Sequence, residues 1–280
     1  MASQSIRQRL RLRTEAGHVT LESVDPAGTP AMKKRLAEEA TAAIQRQLTD
    51  LQLRLWAERE RSLLVVLQAM DAAGKDAVIL HAMAGLNPQG VRVMSFKVPT
   101  PEEARHHFLW RIRKHLPGPG EIAIFNRSHY EDVIVPRVRQ SASPRLVTQR
   151  CRQINEFERQ LVASGTTVVK IFLHVSFQEQ TRRLIERLQD PAKMWKFDEN
   201  DIAERMHWDD YQAAIDVALE ACNPDSAPWY IVPADKRWYR NWAVSRILVE
   251  TLQEMSPQFP QPRLATKKFL KELQTRAVRG

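Results

Sequence analysis

Cysteine, glycine and long apolar runs are all scarce in this chain. Only Cys151 and Cys222 occur in 280 residues. That excludes a disulfide framework and a cysteine zinc cluster, and suits a reducing cytoplasm. Glycine numbers 9 against 16 prolines, which excludes collagen-like and glycine-rich low-complexity architectures. No stretch approaches the ~18 consecutive apolar residues of a membrane span; the longest run, Leu63 to Leu67, is strand-sized. Arg7, Arg9, Arg11 and Arg13 near the start are not followed by an apolar segment, so this stretch does not read as a secretory signal. Acidic residues are outnumbered, 33 against 42 lysines and arginines, for a net charge of +9. With a pI near 9.8, that surplus predicts an anionic partner: nucleic acid, an acidic membrane or a polyanionic small substrate.

What is present is an alternation of two hydrophobic periods. Residues 1–30 show no clear apolar period and carry Pro26, Gly28 and Pro30, which predicts an arm rather than a domain. From Met32 to Arg59 the spacing of Leu36, Ala40, Ile44, Leu48, Leu51 and Leu55 predicts one long amphipathic helix. Ser62 to Gln68 is then a short β-branched and leucine run, as in a strand buried on both faces. Similar runs recur at Val91 to Phe96, Glu121 to Phe125, Thr167 to His174 and Trp229 to Val232. Helical patterns separate or follow them at Lys75 to Leu86, Pro101 to His115, Pro144 to Ser164, Ser176 to Leu188, Asp198 to Cys222, Lys236 to Glu254 and Thr266 to Val278. Strands alternating with helices predict an α/β fold, a doubly wound parallel sheet of about five strands whose ligands gather at the carboxyl ends of the strands.

The first chemical signal sits at the end of the first strand: Gln68-Ala69-Met70-Asp71-Ala72-Ala73-Gly74-Lys75-Asp76, running into a helix. Gly74 and Lys75 match the phosphate-loop pattern G-x-x-x-x-G-K-[ST], while Ala69 stands at its first glycine and Asp76 replaces its hydroxyl residue. Consecutive backbone N–H groups of Ala72, Ala73, Gly74, Lys75 and Asp76 at a helix N-terminus attract phosphate oxygens, and Lys75 adds a point charge. The hydroxyl that would meet a metal ion is lost. Asp71 is one carboxylate that could replace it and Asp76 another, although a first-turn aspartate also follows from the helix dipole. A tight strand-to-helix turn with a capping acid would use the same residues.

The third strand ends in Phe125-Asn126-Arg127-Ser128-His129-Tyr130-Glu131-Asp132, on the same sheet edge as the loop. Arg127 can pair bidentately with a phosphate, and Glu131 can accept hydrogen bonds from a nucleotide. Asn126 can orient a water but adds no charge. Further on, Arg183 and Arg187 lie four apart on one helix face, followed by Lys193 and Lys196 in a loop. This pattern predicts a movable clamp for a transferring phosphoryl group, or else a solvated basic face partly neutralised by Glu179 and Glu186. His106 and His107 have no metal-ligand spacing to a carboxylate, and no Gly-x-Ser-x-Gly elbow supports acyl transfer. Tryptophans and tyrosines crowd the C-terminal half, on elements that predict packing rather than stacking on single-stranded nucleic acid.

Taken together, the variant loop QAMDAAGKD, the stretch Ser95-Phe96-Lys97 to Glu103, FLWRI at 108–112, FNRSHYEDV at 125–133, DPAKMWKF at 190–197 and APWYIVPADKRWYR at 227–240 resemble the family 2 polyphosphate kinases over nearly the whole chain after the arm. The resemblance implies Mg²⁺-dependent (or Mn²⁺-dependent) reversible phosphoryl transfer between inorganic polyphosphate and adenine or guanine nucleotides. It implies a three-layer αβα sandwich of the P-loop kinase, thymidylate-kinase-like type, with residues 31–280 as one domain and a helical lid at about 178–210. It also implies a cytoplasmic homo-oligomer, dimer or tetramer, with no specific nucleic acid and no membrane partner. By position, Asp71 corresponds to the metal ligand, Lys75 to the loop lysine, Arg127 to a phosphate clamp, and Arg183 and Arg187 to lid arginines. Asn126 and Glu131 depart from the Asp and Asn of many members and are similar to the subgroup that phosphorylates both AMP and ADP. An ATP-dependent kinase on the same fold, or a basic nucleic-acid-binding protein using the arginine arm, would share part of these features.

Overall fold

The computed structural model describes residues 5–13, 21–262 and 266–277. Five strands form one parallel sheet in the order β2-β3-β1-β4-β5: β1 Ser62–Ala69, β2 Val91–Ser95, β3 Ile122–Asn126, β4 Thr166–His174 and β5 Trp229–Pro233. The central strand β1 registers Leu63 to Leu67 against Ile122 to Asn126 on one side and Ser62 to Ala69 against Thr166 to Leu173 on the other. It is buried from Ser62 to Gln68, which is why its sequence shows a continuous apolar run rather than alternation. At the edge, β2 keeps Arg92 and Val93 exposed.

Helices cover the sheet. In chain order they are α1 Ile6–Leu10, α2 Lys34–Glu58, α3 Lys75–Ala82, α4 Leu109–Arg113, α5 Glu131–Val138, α6 Pro144–Ala163, α7 Phe177–Gln189, α8 Asn200–Arg205, α9 Trp208–Ala221, α10 Arg237–Met255 and α11 Thr266–Ala277. The long α2 packs along α10, burying Ile44, Leu48 and Leu55 of the row that its spacing marked out, with Ala37 in place of Leu36, which is exposed. α6 starts at Ser143, whose hydroxyl accepts from Leu146 N–H, with Pro144 in its first turn. The segment before α2 is docked: Ile6 and Leu10 are buried, Arg11 bridges Tyr230 antiparallel, and Leu12 N–H donates to Trp229 O at 2.8 Å. It covers the outer edge of β5.

Three expected helices differ. The one expected over Pro101 to His115 is a 3₁₀ turn at Glu103–Arg105 and the short α4, because His106 is extended between them and stacks on Trp110 at 3.9 Å. The one expected over Asp198 to Cys222 is divided between α8 and α9 at Met206 and His207. The one expected from Lys75 to Leu86 ends at Ala82, ahead of Gly85 at φ +81°. One helix, α5, had no counterpart among the expected elements. It holds Pro136 near its end, and the chain turns back when Ser141 N–H donates to Pro136 O. Among the described residues no helix is long and apolar enough to cross a membrane.

Candidate active site

The carboxyl ends of β1, β3 and β4 open onto a cleft of about 740 Å³, walled by the loop after β1, the start of α5, the first turns of α7 and the α8–α9 segment. β1 delivers the chain into residues 70–74, where Ala72 and Gly74 both adopt left-handed backbone (φ +61° and +103°). For Ala72 that conformation is strained by about 1–3 kcal/mol, and such strain persists where surroundings over-determine it. Arg127, at the end of β3, is left-handed as well. Strained residues thus follow the carboxyl ends of both neighbouring strands, Ala72 after β1 and Arg127 after β3.

The two loops meet through the side chains of Asp71 and Arg127. Arg127 donates to Asp71 Oδ1 at 2.7 Å, and Lys75 Nζ lies 4.0 Å from the same oxygen. Burial raises the Asp71 pKa, but the charges of Lys75, Arg127 and Arg187 outweigh it and hold the carboxyl below its ordinary range. Lys75 is 9% exposed and folds back onto the loop, donating to Ala69 O at 2.9 Å; burial lowers its pKa, with Asp71 opposing. Glu131 has its pKa raised by burial, against the pull of Arg127 and Lys75. Arg187 reaches Asp201 on α8 at 3.4 Å.

Asp71, Lys75, Arg127, Glu131 and Arg187 are thus gathered at one place. Asn126 lies beside them and donates to Asp76 Oδ1 at 2.8 Å, which leaves Asp76 turned toward Asn126 and Lys196 (4.0 Å) rather than toward Asp71. Lys193 is not brought in: its ammonium pairs with Asp190 at 2.6 Å on the outside of the loop after α7. Arg183 stands behind the phosphate loop, 5% exposed, donating to the carbonyls of Ala72, Ala73, Ala234 and Asp235 and paired with Glu179. Its fork is spent on backbone, so the two arginines of the α7 face serve different sides of the loop.

Sequence reasoning missed several residues. Asp132 pairs with Arg111 at 3.5 Å, while Arg150 donates to its carbonyl at 2.6 Å. Gln180 donates to Asp71 O at 3.0 Å. Arg205 stacks on Phe177 at 3.7 Å and donates to the Thr181 hydroxyl, tying α8 to α7. Arg240, from α10, reaches Ala73 O at 2.9 Å. Arg111 and Arg240 sit inside FLWRI and the DKRWYR stretch, so charge within a motif was a usable signal; Gln180 and Arg150 carried none.

A phosphate-type loop at the end of a central parallel strand, faced by arginines and one ionised carboxylate, defines a phosphotransferase of the P-loop kinase class. The comparisons agree. A family model described as polyphosphate kinase 2 matches residues 31–260. An AMP/ADP-polyphosphate phosphotransferase from Meiothermus ruber is 49% identical over 258 residues, 91% of this chain and 97% of that one. An ADP-polyphosphate phosphotransferase from Rhodopseudomonas palustris is 40% identical, over 83% and 85%. The crystal structure of polyphosphate kinase 2 from Arthrobacter aurescens TC1 matches at a TM-score of 0.91 and 40% identity, covering 96% of both chains. This chain belongs to the polyphosphate kinase 2 family, and it is an enzyme of the polyphosphate phosphotransferase type.

Proposed function

We propose that the enzyme transfers a phosphoryl group reversibly between inorganic polyphosphate and nucleotides, making ADP from AMP and ATP from ADP, with Mg²⁺ as its metal. The observation that carries this is the convergence of the Lys75, Arg127 and Arg187 charges on Asp71, which lines the cleft together with Arg127 beside the phosphate loop. Two of the relatives named above are an AMP/ADP-polyphosphate and an ADP-polyphosphate phosphotransferase, and Asn126 and Glu131 support the dual acceptor.

The residues present fit a divalent cation of the Mg²⁺ kind. Asp71 is ionised and one-third exposed toward the cleft, and among the described residues no group of three or more His, Cys, Asp or Glu could enclose a metal. Mg²⁺ takes one or two carboxylates and fills the rest of its shell with water and substrate phosphate. When bound at Asp71, it would neutralise charge on the phosphate oxygens; Mn²⁺, with the same oxygen preference, is a workable substitute.

In this scheme the N–H groups of Gly74, Lys75 and Asp76 hold the donor phosphate. Lys75 exchanges the Ala69 carbonyl for a phosphate oxygen. Arg127 and Arg187 exchange Asp71 and Asp201 for the transferring phosphoryl group, where charge spreads in the transition state. No general base is needed, because the attacking oxygen belongs to an ionised phosphate. Arg183 keeps the loop in shape. Residues 178–210 act as the lid, within which Arg205 fastens α8 to the start of α7 at Phe177 and Thr181. The oligomer, a dimer or tetramer, finds support in Phe269, Leu270 and Leu273, exposed on α11. The two free thiols suit a cytoplasmic enzyme.

The test is an incubation of purified protein with Mg²⁺ and polyphosphate, offered AMP and ADP separately, with nucleotides resolved chromatographically. ATP from ADP together with ADP from AMP is expected. ATP from ADP alone withdraws the dual acceptor, and no product from either turns the reading to ATP as donor.

A further inference from the structure

We propose that Arg240 is a positioning residue for phosphoryl transfer: jointly with Arg183 it draws the Ala73 carbonyl to the rear of the phosphate loop, which turns the Gly74 N–H forward onto the donor phosphate and sets a buried positive charge behind it. The inference rests on the reading of this loop as the polyphosphate site.

Two guanidinium groups converge on one carbonyl. Arg183 donates to Ala73 O at 2.7 Å and Arg240 at 2.9 Å, from helices on opposite sides of β5 in the chain. A trans peptide unit holds its C=O and N–H pointing opposite ways, and the chain has no cis bonds among the described residues. A carbonyl pulled backward therefore commits the N–H of the same unit, that of Gly74, to the front. That N–H has no acceptor among the described residues, so it is available to an anion. Hydrogen bonds accepted by the carbonyl also polarise the unit and strengthen its N–H as a donor.

Arg240 is otherwise an expensive residue to keep. It is 2% exposed, and among the described residues no carboxylate pairs with it, whereas Arg183 has Glu179. Among the described residues its one other hydrogen-bond partner is Asn241, whose Oδ1 accepts from Nε at 3.1 Å and from NH2 at 2.9 Å. Burial and the charges of Arg183 and Arg237 push its pKa down to about 9, so it remains charged at neutral pH. Glu179 is the carboxylate whose charge opposes this shift, but it is paired with Arg182 and Arg183, and a buried charge without a carboxylate of its own is unfavourable in the free protein. A polyanion arriving on the far side of a loop one residue thick supplies the missing charge, which makes the arginine a preorganised part of the phosphate site. The glycine fits this account: a Cβ on Gly74 would fall 1.9 Å from Arg240 NH1. Glycine there serves the approach of the arginine as well as the left-handed turn.

Steady-state kinetics with Mg²⁺, ADP and polyphosphate of one length, beside thermal melts, test the proposal on Arg240→Gln, Arg240→Lys and Asn241→Ala. Arg240→Gln is expected to raise KM for polyphosphate about tenfold and lower kcat about 100-fold. Arg240→Lys falls between, since charge is kept and the fork lost. Asn241→Ala, at a half-buried site, raises KM for polyphosphate about threefold. KM for ADP stays within about twofold throughout. A purely structural arginine would instead lower kcat through the amount of folded enzyme and leave both KM values alone, and that pattern overturns the proposal. If Arg240→Gln does not fold, Arg240→Lys and Asn241→Ala decide by the same readout. Wild-type protein that makes no ATP from polyphosphate strikes the underlying reading before any variant is compared.

Discussion

Replacing Lys75 by methionine isolates one charge in the site. The ammonium is buried and held on the Ala69 carbonyl, 4.0 Å from Asp71. At about 4 Å and an effective dielectric of about 20, it would attract one phosphate charge by about 4 kcal/mol. Leaving the Ala69 carbonyl gives back about 1.5 kcal/mol of that, the net worth of a hydrogen bond from a charged donor. The surplus of about 2.5 kcal/mol corresponds to about 100-fold in kcat/KM. Stability should move the other way: burial lowers the Lys75 pKa, so the folded state holds this ammonium reluctantly. Methionine, an apolar side chain of similar length, should leave the melting temperature unchanged or higher. ATP formation from Mg²⁺, polyphosphate and ADP, followed by a coupled luminescence assay and set beside thermal melts, checks both halves. A loss in kcat/KM of less than about tenfold in a normally melting variant would refute the reasoning.

Asp71→Asn should raise the Mg²⁺ concentration for half-maximal rate by about 10- to 100-fold, read from Mg²⁺ titrations at saturating polyphosphate; an unmoved midpoint assigns the metal elsewhere. Glu131→Gln should shift the ratio of AMP to ADP turnover, measured by competing the two acceptors in one reaction, because it neutralises a cleft carboxyl beside Arg127. In the core, Lys170 Nζ and Glu158 Oε2 form a fully buried pair at 2.6 Å, with Tyr130 and His129 also on Glu158. Lys170→Met alone should lower stability by about 3–5 kcal/mol in urea titrations, and adding Glu158→Leu should restore much of it. Burial raises the Glu158 pKa, but Lys170 and His129 outweigh it and hold the carboxyl low. A depressed carboxyl stabilises above its unfolded value of about 4.3 and loses that contribution as pH falls through the folded value. The urea midpoint should therefore drop on acidification, and less steeply in the double variant.

The parts of the fold that the sequence made legible are those set by local pattern. β1 and β4 are buried runs, α2 and α6 are long single-faced helices, α6 with a clear Ser-Pro start, and each lies within a residue or two of its expected bounds. α4, α8 and α5 were misread because helices of five to eight residues are too short for a helical period to show in the sequence, and their limits depend on what they pack against. In the site, Asp71, Lys75, Arg127, Glu131 and Arg187 were legible because strand ends and helix periodicity place them on one sheet edge. Lys193 was grouped with them because it follows the two helix arginines in one loop with Lys196, and only the turn after α7 shows that it faces Asp190.

By itself the sequence determined the parallel α/β architecture, the phosphate loop at the end of its first strand and the kind of chemistry that a Gly-Lys turn with nearby arginines performs. Hydrophobic period and backbone donors are local properties and need no partner. Tertiary structure alone decided that Arg183 and Arg240 stand behind the loop while Arg187 stands before it. Arg240 meets a carbonyl 167 residues away, and no pattern along the chain records which carbonyl a long side chain will meet once the sheet has folded.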